Sequence, residues 1–365
     1  MNQKRTLYHS SLNHCHIEAT TYKYLLNFKR PGGTSRGVLH QKETYFLVVK
    51  SGDKIGVGEC GLFRGLSFDD RPDYEEKLQW LCDHIDKDRE FLYQELKEFP
   101  SIQFGLEQAL LSLNAADSFD LFPSDFVRGM DSIPINGLIW MGDELFMKEQ
   151  IANKLDEGFT TLKMKIGAID FKTELNILQG IRKRYRSSEL ELRVDANGAF
   201  TKEDALAKLQ QLEAFEIHSI EQPVKAGQWE LMADLCKVSP IPIALDEELI
   251  GILDTAQKRA LLKTINPQYI ILKPSLIGGF QGSKEWITLA EDAGIGWWIT
   301  SALESNIGLN AIAQFCYSLN STLPQGLGTG SLFNNNIQSP LFVSQGALHY
   351  DPKQKWEDLM DFLSE

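Results

Sequence analysis

The sequence predicts an α/β protein: a modified (β/α)7β barrel of the TIM type with an N-terminal α+β capping domain. Charged residues stand at the ends of five successive apolar, strand-like runs: Lys165, Asp195, Glu221, Asp246 and Lys273. The intervals between them are 30, 26, 25 and 27 residues, about the length that one strand, one helix and two short loops require. Residues 1–128 lack this rhythm. Because the strand ends of a barrel converge at one mouth, we expect these five side chains to share one site.

The length and charge of the chain indicate two structural units and a small-molecule partner. The chain has 365 residues, too many for one average domain. We predict the capping domain at 1–128, completed by about 332–365, and the barrel at 129–331. The net charge is −13 and the lysines are dispersed, so neither a nucleic acid nor a membrane is expected as a partner. A monomer and a homo-oligomer are both compatible with the sequence.

Cysteine usage and the apolar pattern favour a cytoplasmic protein. The first 30 residues contain no continuous apolar segment, and no run of 18 apolar residues occurs. The cysteines are odd in number and far apart, which is typical of reduced thiols. They are Cys15, Cys60, Cys82, Cys236 and Cys316.

The N-terminal residues predict a β-hairpin followed by helices. Thr44–Lys50 and Ile55–Cys60 are apolar runs on either side of a Ser-Gly-Asp-Lys turn, and 74–96 and 102–116 have the apolar period of amphipathic helices. The segment 31–37 is rich in glycine and flanked by strand-like runs. It suits a mobile active-site loop, and equally an inert surface turn.

From residue 133 the chain alternates between strand-like and helix-like segments. Helices are expected between the strands, for example at 202–215 and 306–319. The strands are expected at 134–139, 160–166, 190–195, 217–221, 242–246, 269–273, 296–301 and 325–328. After the last strand no further βα unit follows, so we expect the end of the chain to return to the capping domain.

Three carboxylates on consecutive strand ends predict a metal site. Asp195, Glu221 and Asp246 form an all-oxygen set without histidine or cysteine, which suits a hard divalent cation such as magnesium, with manganese as the alternative. Each acid taken alone could equally be a solvated strand end or a helix N-cap. Their common register with the flanking lysines favours the metal.

The lysines predict a general base. Lys163 and Lys165 lie two residues apart on one strand, so both side chains face the same way. Two ammonium groups in a barrel mouth repel each other, and burial lowers the pKa of a lysine further, so a neutral amine is expected. Lys273 is expected on the strand four positions further along the same barrel, roughly opposite Lys165. Removing a proton next to a carboxylate gives a dianionic enolate, which a divalent cation stabilises.

Two further polar residues share the face of Asp195 because a strand has a two-residue period. Arg193 is expected to contact a substrate carboxylate, and Asn197 to form a hydrogen bond behind the metal ligands. Simple packing is the alternative for each.

Together these motifs resemble the enolase superfamily, in its muconate-lactonising subgroup. The motifs are Lys163-Met164-Lys165, Asp195-Ala196-Asn197, Glu221-Gln222-Pro223, Asp246-Glu247 and Lys273. Within the subgroup, residues 271–279 and 300–309 are similar to the dehydratase of menaquinone biosynthesis. This resemblance implies a magnesium-dependent lyase that removes water from 2-succinyl-6-hydroxy-2,4-cyclohexadiene-1-carboxylate.

The resemblance also implies a role for each matching residue. Lys165 would remove the α-proton and return it to the departing hydroxide on the same face. Lys273 would stabilise the developing charge across the ring by cation–π attraction. Asp195, Glu221 and Asp246 would hold magnesium. Lys163 would contact the substrate carboxylate, and Ser301 would help to position the succinyl arm.

The alternative within the superfamily is a dipeptide epimerase or N-acylamino-acid racemase, in which both lysines transfer protons. Epimerases of this type bear Asp-x-Asp on the eighth strand, where this chain has Gly328-Thr329-Gly330. A further departure is Asp246-Glu247-Glu248 in place of the usual Asp-Glu-Ser. A barrel that only binds a partner is not favoured, because the carboxylate and lysine set is intact.

Overall fold

The computed structural model describes residues 17–34 and 37–364. The capping domain begins with a three-stranded antiparallel sheet in chain order, formed by β1 (Ile17–Thr34), β2 (Gly37–Ser51) and β3 (Lys54–Cys60). The predicted hairpin is therefore present as β2 and β3. Three helices follow: α1 (Tyr74–Asp83), α2 (Arg89–Glu95) and α3 (Pro100–Asn114). The single helix expected over 74–96 is divided because Asp88 caps α2, accepting the Glu90 N–H at 2.9 Å.

The central strand β2 is buried on both faces between Thr44 and Val49. Side chains alternate along β2, so that Tyr45 packs against the capping helices while Phe46 packs against Ile307 on the barrel side. The helix α3 approaches β3 closely because Gly58 has no side chain. A Cβ at Gly58 would lie 1.9 Å from the carbonyl oxygen of Gly105.

The barrel consists of a parallel sheet whose seven strands neighbour each other in chain order, each followed by a helix. The strands are β5 (Gly137–Ile139), β6 (Thr161–Lys165), β7 (Glu191–Asp195), β8 (Ser219–Glu221), β9 (Ile243–Leu245), β10 (Tyr269–Leu272) and β11 (Gly296–Ile299), after the short β4 (Ile133–Pro134). The helices are α4 (Glu144–Asp156), α5 (Phe171–Arg182), α6 (Ala205–Glu213), α7 (Trp229–Val238), α8 (Thr255–Ile265), α9 (Gly279–Asp292) and α10 (Asn306–Ser318).

The eighth barrel position is formed by isolated bridges. Gly326 pairs in parallel with Thr300 after β11, and Gln325 pairs in parallel with Ile135 before β5. The segment expected as a strand at 325–328 thus closes the ring through two bridges. The predicted (β/α)7β class with an N-terminal capping domain is confirmed by this topology.

The last residues contact both units. A hairpin of β12 (Leu341–Ser344) and β13 (Ala347–Tyr350) pairs with β4 at the start of the barrel. The final helix α11 (Leu359–Ser364) places Phe362 against Phe46 of the capping sheet. The division of the chain at 128 and 331 stays a prediction.

The described cysteines Cys60, Cys82, Cys236 and Cys316 are free thiols, and Cys15 lies outside the described residues. Within those residues, no helix combines the length and the apolar character needed to cross a membrane.

A buried glutamate joins the two units. Glu107 of α3 accepts the backbone N–H groups of Phe280 and Gln281 in the first turn of α9, where a carboxylate also interacts favourably with the helix dipole. Burial raises the pKa of Glu107 to about 7.

Glu107→Gln is expected to make stability less sensitive to pH. A carboxyl group whose pKa is higher in the folded than in the unfolded chain loses its stabilising contribution as pH rises through the folded value. For Glu107 this loss occurs between pH 4.5, its ordinary pKa, and about pH 7, its pKa in the folded chain. The free energy of unfolding should fall by about 3 kcal/mol across this range, at about 1.4 kcal/mol per pKa unit. Urea unfolding at low and at neutral-to-alkaline pH measures the difference. The exposed Glu90→Gln is the control, and an unchanged pH dependence in Glu107→Gln would contradict the expectation.

Candidate active site

The strand register brings the predicted charges to one end of the barrel. Lys165 of β6 is in register with Asp195 of β7, and Asp195 with Glu221 of β8. Asp246 directly follows β9, and Lys273 directly follows β10. Apart from Asp246, which lies behind Lys273, these side chains line a cavity of about 560 Å³.

The first two lysines bind carboxylates of the neighbouring strands. Lys163 Nζ lies 2.7 Å from Glu221 Oε2 and 3.5 Å from Asp195 Oδ2. Lys165 Nζ lies 2.8 Å from the same Asp195 oxygen and 2.8 Å from Asn197 Oδ1. One carboxylate oxygen therefore serves both lysines.

These contacts decide the protonation of the cluster. Burial alone would raise the pKa of Asp195, but Lys165 and Lys163 hold it below its ordinary range. Burial, and then the Asp195 carboxylate, raise the pKa of Glu221 well above its ordinary value. Burial would lower the pKa of Lys163, but Glu221 and Asp195 outweigh it, so this pKa is raised. The lowering expected from the sequence is therefore wrong for Lys163, because the carboxylates prevail over burial and lysine repulsion.

On the other side of the cavity, Lys273 and Asp246 form a second ion pair. Burial opposes both charges, yet the Asp246 carboxylate raises the pKa of Lys273, and Lys273 lowers the pKa of Asp246. The two lysines that face the cavity from β6 and β10 thus have different carboxylate partners.

The three carboxylates have the chemistry of a divalent-cation site. Asp195, Glu221 and Asp246 are each at most 2% exposed, and Glu221 Oε1 is buried without a hydrogen-bond partner among the described residues. In that part of the chain no three His, Cys, Asp or Glu side chains already stand in a metal-binding arrangement, since these carboxylates bind lysines. Burial and the neighbouring carboxylates together raise the pKa of Glu221, and an added cation would offset the repulsion among the three acids, so the donor set fits.

Asn197 lies next to this cluster. Its backbone N–H donates to Asp195 Oδ1 at 3.0 Å, and its Oδ1 accepts from Lys165. Its Nδ2 donates to Glu247 Oε1 at 2.9 Å. Asn197 has the left-handed backbone that asparagine tolerates, with φ 44°. Asn197 therefore lines the cavity beside the carboxylates, and it connects them to Glu247, a residue to which the sequence alone gave no role.

Glu248 faces away from the cluster. Its carboxylate accepts from Gln222 Nε2 at 2.9 Å and from the Gly227 N–H at 2.7 Å. The extra acid of the fifth-strand motif therefore holds the loop after β8.

Arg193 is not brought to the cavity. It is 1% exposed inside the barrel, where Nε donates to Glu191 Oε1 at 2.7 Å and Nη1 to the Pro324 carbonyl oxygen at 2.9 Å. Its guanidinium lies 4.5 Å from the Trp298 ring centroid. The expected contact with a substrate carboxylate is therefore corrected: the two-residue period gives the face of the strand but not the depth in the barrel.

Ser301 lines the cavity, but its hydroxyl is engaged within the protein. Oγ donates to Glu304 Oε2 at 2.5 Å, and accepts from the Leu303 N–H at 3.0 Å and from Thr329 Oγ1 at 2.9 Å. A hydroxyl has one hydrogen and two lone pairs, so Ser301 forms part of the wall with its hydrogen bonds already made.

The remaining walls come from both units, and the sequence analysis did not identify them. They are mostly apolar: Phe63, Leu66, Leu138, Trp140, Leu303 and Leu332. Asn136 also lines the cavity, and its buried Oδ1 has no hydrogen-bond partner among the described residues. Gly32, in the predicted loop 31–37, packs on Trp140, since a Cβ there would lie 3.2 Å from the ring. Residues 35 and 36 lie outside the described residues, so the mobile active-site loop and the inert surface turn both remain open for this segment.

Comparison with known proteins identifies the family. The family model described as Enolase C-terminal domain-like matches residues 147–353. The o-succinylbenzoate synthase of Desulfotalea psychrophila is 48% identical over 354 residues, which cover 88% of this chain and 96% of that protein. The crystal structure of MenC from Desulfotalea psychrophila has a TM-score of 0.81 at 43% identity, covering 91% of this chain and 99% of the other.

An epimerase is more distant. The L-Ala-D/L-Glu epimerase of Bacillus subtilis is 30% identical over 174 residues, 47% of this chain and 46% of that protein. Its substrate-liganded structure shares the fold, with a TM-score of 0.78 at 20% identity over 92% of this chain and 96% of the other. The chain therefore belongs to the enolase superfamily, in the group of the o-succinylbenzoate synthases.

Proposed function

We propose that the chain dehydrates 2-succinyl-6-hydroxy-2,4-cyclohexadiene-1-carboxylate to o-succinylbenzoate in menaquinone biosynthesis, as a carbon–oxygen lyase. The observation that carries the proposal is the placement of Lys165 and Lys273. They enter one cavity from strands four apart in the sheet, and each is paired with a different carboxylate. The 48% identity to an o-succinylbenzoate synthase over nearly all of that protein supports the choice of substrate.

Lys165 acts as the general base. Its amine takes the α-proton of the substrate as the C–H bond breaks, and the same group then protonates the hydroxyl that leaves as water when the C–O bond breaks. One base on one face is sufficient, which makes the elimination syn. Asn197 Oδ1, 2.8 Å from Lys165 Nζ, keeps the amine directed at the cavity.

Lys273 stabilises charge from the opposite side of the substrate ring. Its ammonium enters the cavity from the end of β10, next to Asp246, and from there it serves as a cation rather than as a base.

Enolase-superfamily members depend on divalent cations, and we propose magnesium, with manganese as a substitute, for this chain. Asp195, Glu221 and Asp246 would hold it, and when bound it would supply positive charge for the substrate carboxylate. Because Asp195 would then use its oxygens for the cation, Lys165 would lose one partner and keep Asn197. Lys163 would contact the substrate carboxylate.

The far end of the cavity suits the succinyl arm. The segment from Gly326 to Leu332 and the residue Ser301 form this wall, and the segment contains no acidic residue that could bind an ammonium group. We infer that the enzyme acts in the cytoplasm, where its thiols remain reduced.

Parallel assays separate this function from epimerisation. Purified protein with magnesium is expected to convert the cyclohexadiene substrate to o-succinylbenzoate, followed by absorbance. In deuterium oxide it is expected to leave L-Ala-L-Glu without deuterium at the α-carbon, because a dipeptide ammonium has no acidic partner at 326–332. Rapid epimerisation of the dipeptide with weak dehydration would overturn the proposal.

A further inference from the structure

A buried lysine of the capping domain has no part in the site described above. Lys42 of β2 is 5% exposed, and its Nζ is buried without a hydrogen-bond partner among the described residues. Two residues on, Thr44 shares its face of the sheet and donates to Glu59 Oε1 at 2.8 Å. A buried ammonium group is costly unless negative charge offsets it. Burial lowers the pKa of Lys42, and the negative charges that oppose this effect are those of Glu59 of β3 and Glu304 of the loop after β11.

Glu304 connects two parts of the active-site rim. It is fully buried, and its carboxylate accepts the Ser275 hydroxyl, the Ser301 hydroxyl and the Ala302 N–H. Ser275 follows Lys273 by two residues, and Ser301 is part of the cavity wall. Glu304 therefore fixes the strand end that bears Lys273 relative to that wall, and it needs the acceptor capacity of an ionised carboxylate to do so.

The two glutamates next to Lys42 lie beside each other at the domain boundary. A Cβ on Gly308 would be 2.8 Å from Glu59 Oε2 and 2.8 Å from Glu304 Cβ. Glu59 is already bound to the start of α10, accepting the N–H groups of Ser305 at 3.0 Å and Gly308 at 2.9 Å. The hydrogen-bond partners of Glu304, in contrast, are two serine hydroxyls and the N–H of a loop residue, Ala302. Burial raises the pKa of Glu304, and Lys42 is the strongest influence in the opposite direction.

We propose that Lys42 is a positioning residue whose ammonium balances the charge of Glu304, and that Glu304 in turn sets the spacing between Lys273 and the Ser301 wall. The capping domain thus supplies a charge to the barrel rim as well as the apolar side chains Phe63 and Leu66 of the cavity. The kinetic consequences rest on the proposed dehydratase function. The coupling between Lys42 and Glu304 does not.

The kinetic test compares Lys42→Met with Lys42→Arg. Lys42→Met is expected to lower kcat/KM for dehydration by about tenfold or more, with most of the loss in kcat because Lys273 acts on the transition state. Lys42→Arg retains the charge and is expected to stay within about threefold of the wild type. The matched control is Lys258→Met. Lys258 is equally buried and pairs with Glu285 at 2.5 Å, away from the cavity, so its loss should lower stability but leave kcat/KM within about twofold.

Double variants identify the partner. In the background of Glu304→Gln, which has no charge to balance, Lys42→Met should cause no further loss of kcat/KM, whereas in Glu59→Gln it should. The free energy of unfolding of the same single and double variants, measured in urea, requires no substrate. It therefore distinguishes failure of this inference from failure of the proposed function. An unchanged kcat/KM in Lys42→Met, or coupling with Glu59 alone, would overturn the inference. If Lys42→Met does not fold, Lys42→Gln takes its place in the cycles.

Discussion

Lys165→Ala is expected to lower kcat for dehydration by roughly 10⁴-fold, the upper range for loss of a general base. Its amine stands at the end of β6, 2.8 Å from Asn197 Oδ1, and each of the other two lysines at the cluster has a shorter contact with a different carboxylate. Lys163 pairs with Glu221, and Lys273 pairs with Asp246. Neither is placed to take over the proton, because Lys163 would contact the substrate carboxylate and Lys273 acts from the opposite side of the substrate ring.

Lys273→Ala is expected to cost roughly 10²- to 10³-fold in kcat, the range for one electrostatic group in a buried site. Lys273→Arg should keep a trace of activity, since it retains the charge but not the reach. Lys154→Ala is the control: Lys154 also lines the cavity but pairs with Glu157 at 2.6 Å, so its removal should change kcat by less than about threefold.

Exchange of the α-proton with deuterium oxide assigns the two roles. Lys165→Ala should lose exchange, while Lys273→Ala should retain it at a reduced rate. Exchange that survives in Lys165→Ala and disappears in Lys273→Ala would reverse the assignment.

The barrel and its charged rim could be predicted because the relevant interactions are periodic in the sequence. Strand ends that recur every 25 to 30 residues converge in any closed parallel sheet. The register of Lys165 with Asp195, and of Asp195 with Glu221, follows from that architecture.

Features that depend on depth or on side-chain direction could not be predicted in this way. Arg193 and Asp195 share one face of β7, but only Asp195 reaches the cavity. Glu247 binds Asn197, whereas its neighbour Glu248 binds the loop after β8.

Long-range pairs have no sequence signal in a single chain. Lys42 and Glu304 are separated by 262 positions, the difference of their residue numbers, and nothing in either local pattern indicates that they face each other. Ser301 was predicted at the cavity and lies there, but the sequence could not show that its hydroxyl donates its hydrogen bond to Glu304.

Removal of the divalent cation is expected to abolish turnover, and added magnesium to restore it. Three buried carboxylates of this kind bind a hard cation through oxygen, and without that charge the electron density that develops on the substrate carboxylate is not stabilised. Asp195→Asn and Glu221→Gln should each lower kcat by roughly 10³-fold or more. Undiminished turnover in excess EDTA would exclude the metal assignment.

Magnesium binding can also be followed without substrate. A cation that binds only the folded chain raises its melting temperature with concentration, and this shift should disappear in Glu221→Gln. Glu248→Gln is the matched control, because Glu248 lies two positions from Asp246 but binds Gln222 and Gly227 instead of facing the cluster. Since burial and Asp195 raise the pKa of Glu221, a proton competes with the cation, and the affinity for magnesium should fall as pH decreases. Loss of the shift in Glu248→Gln, with the shift retained in Glu221→Gln, would place the cation elsewhere.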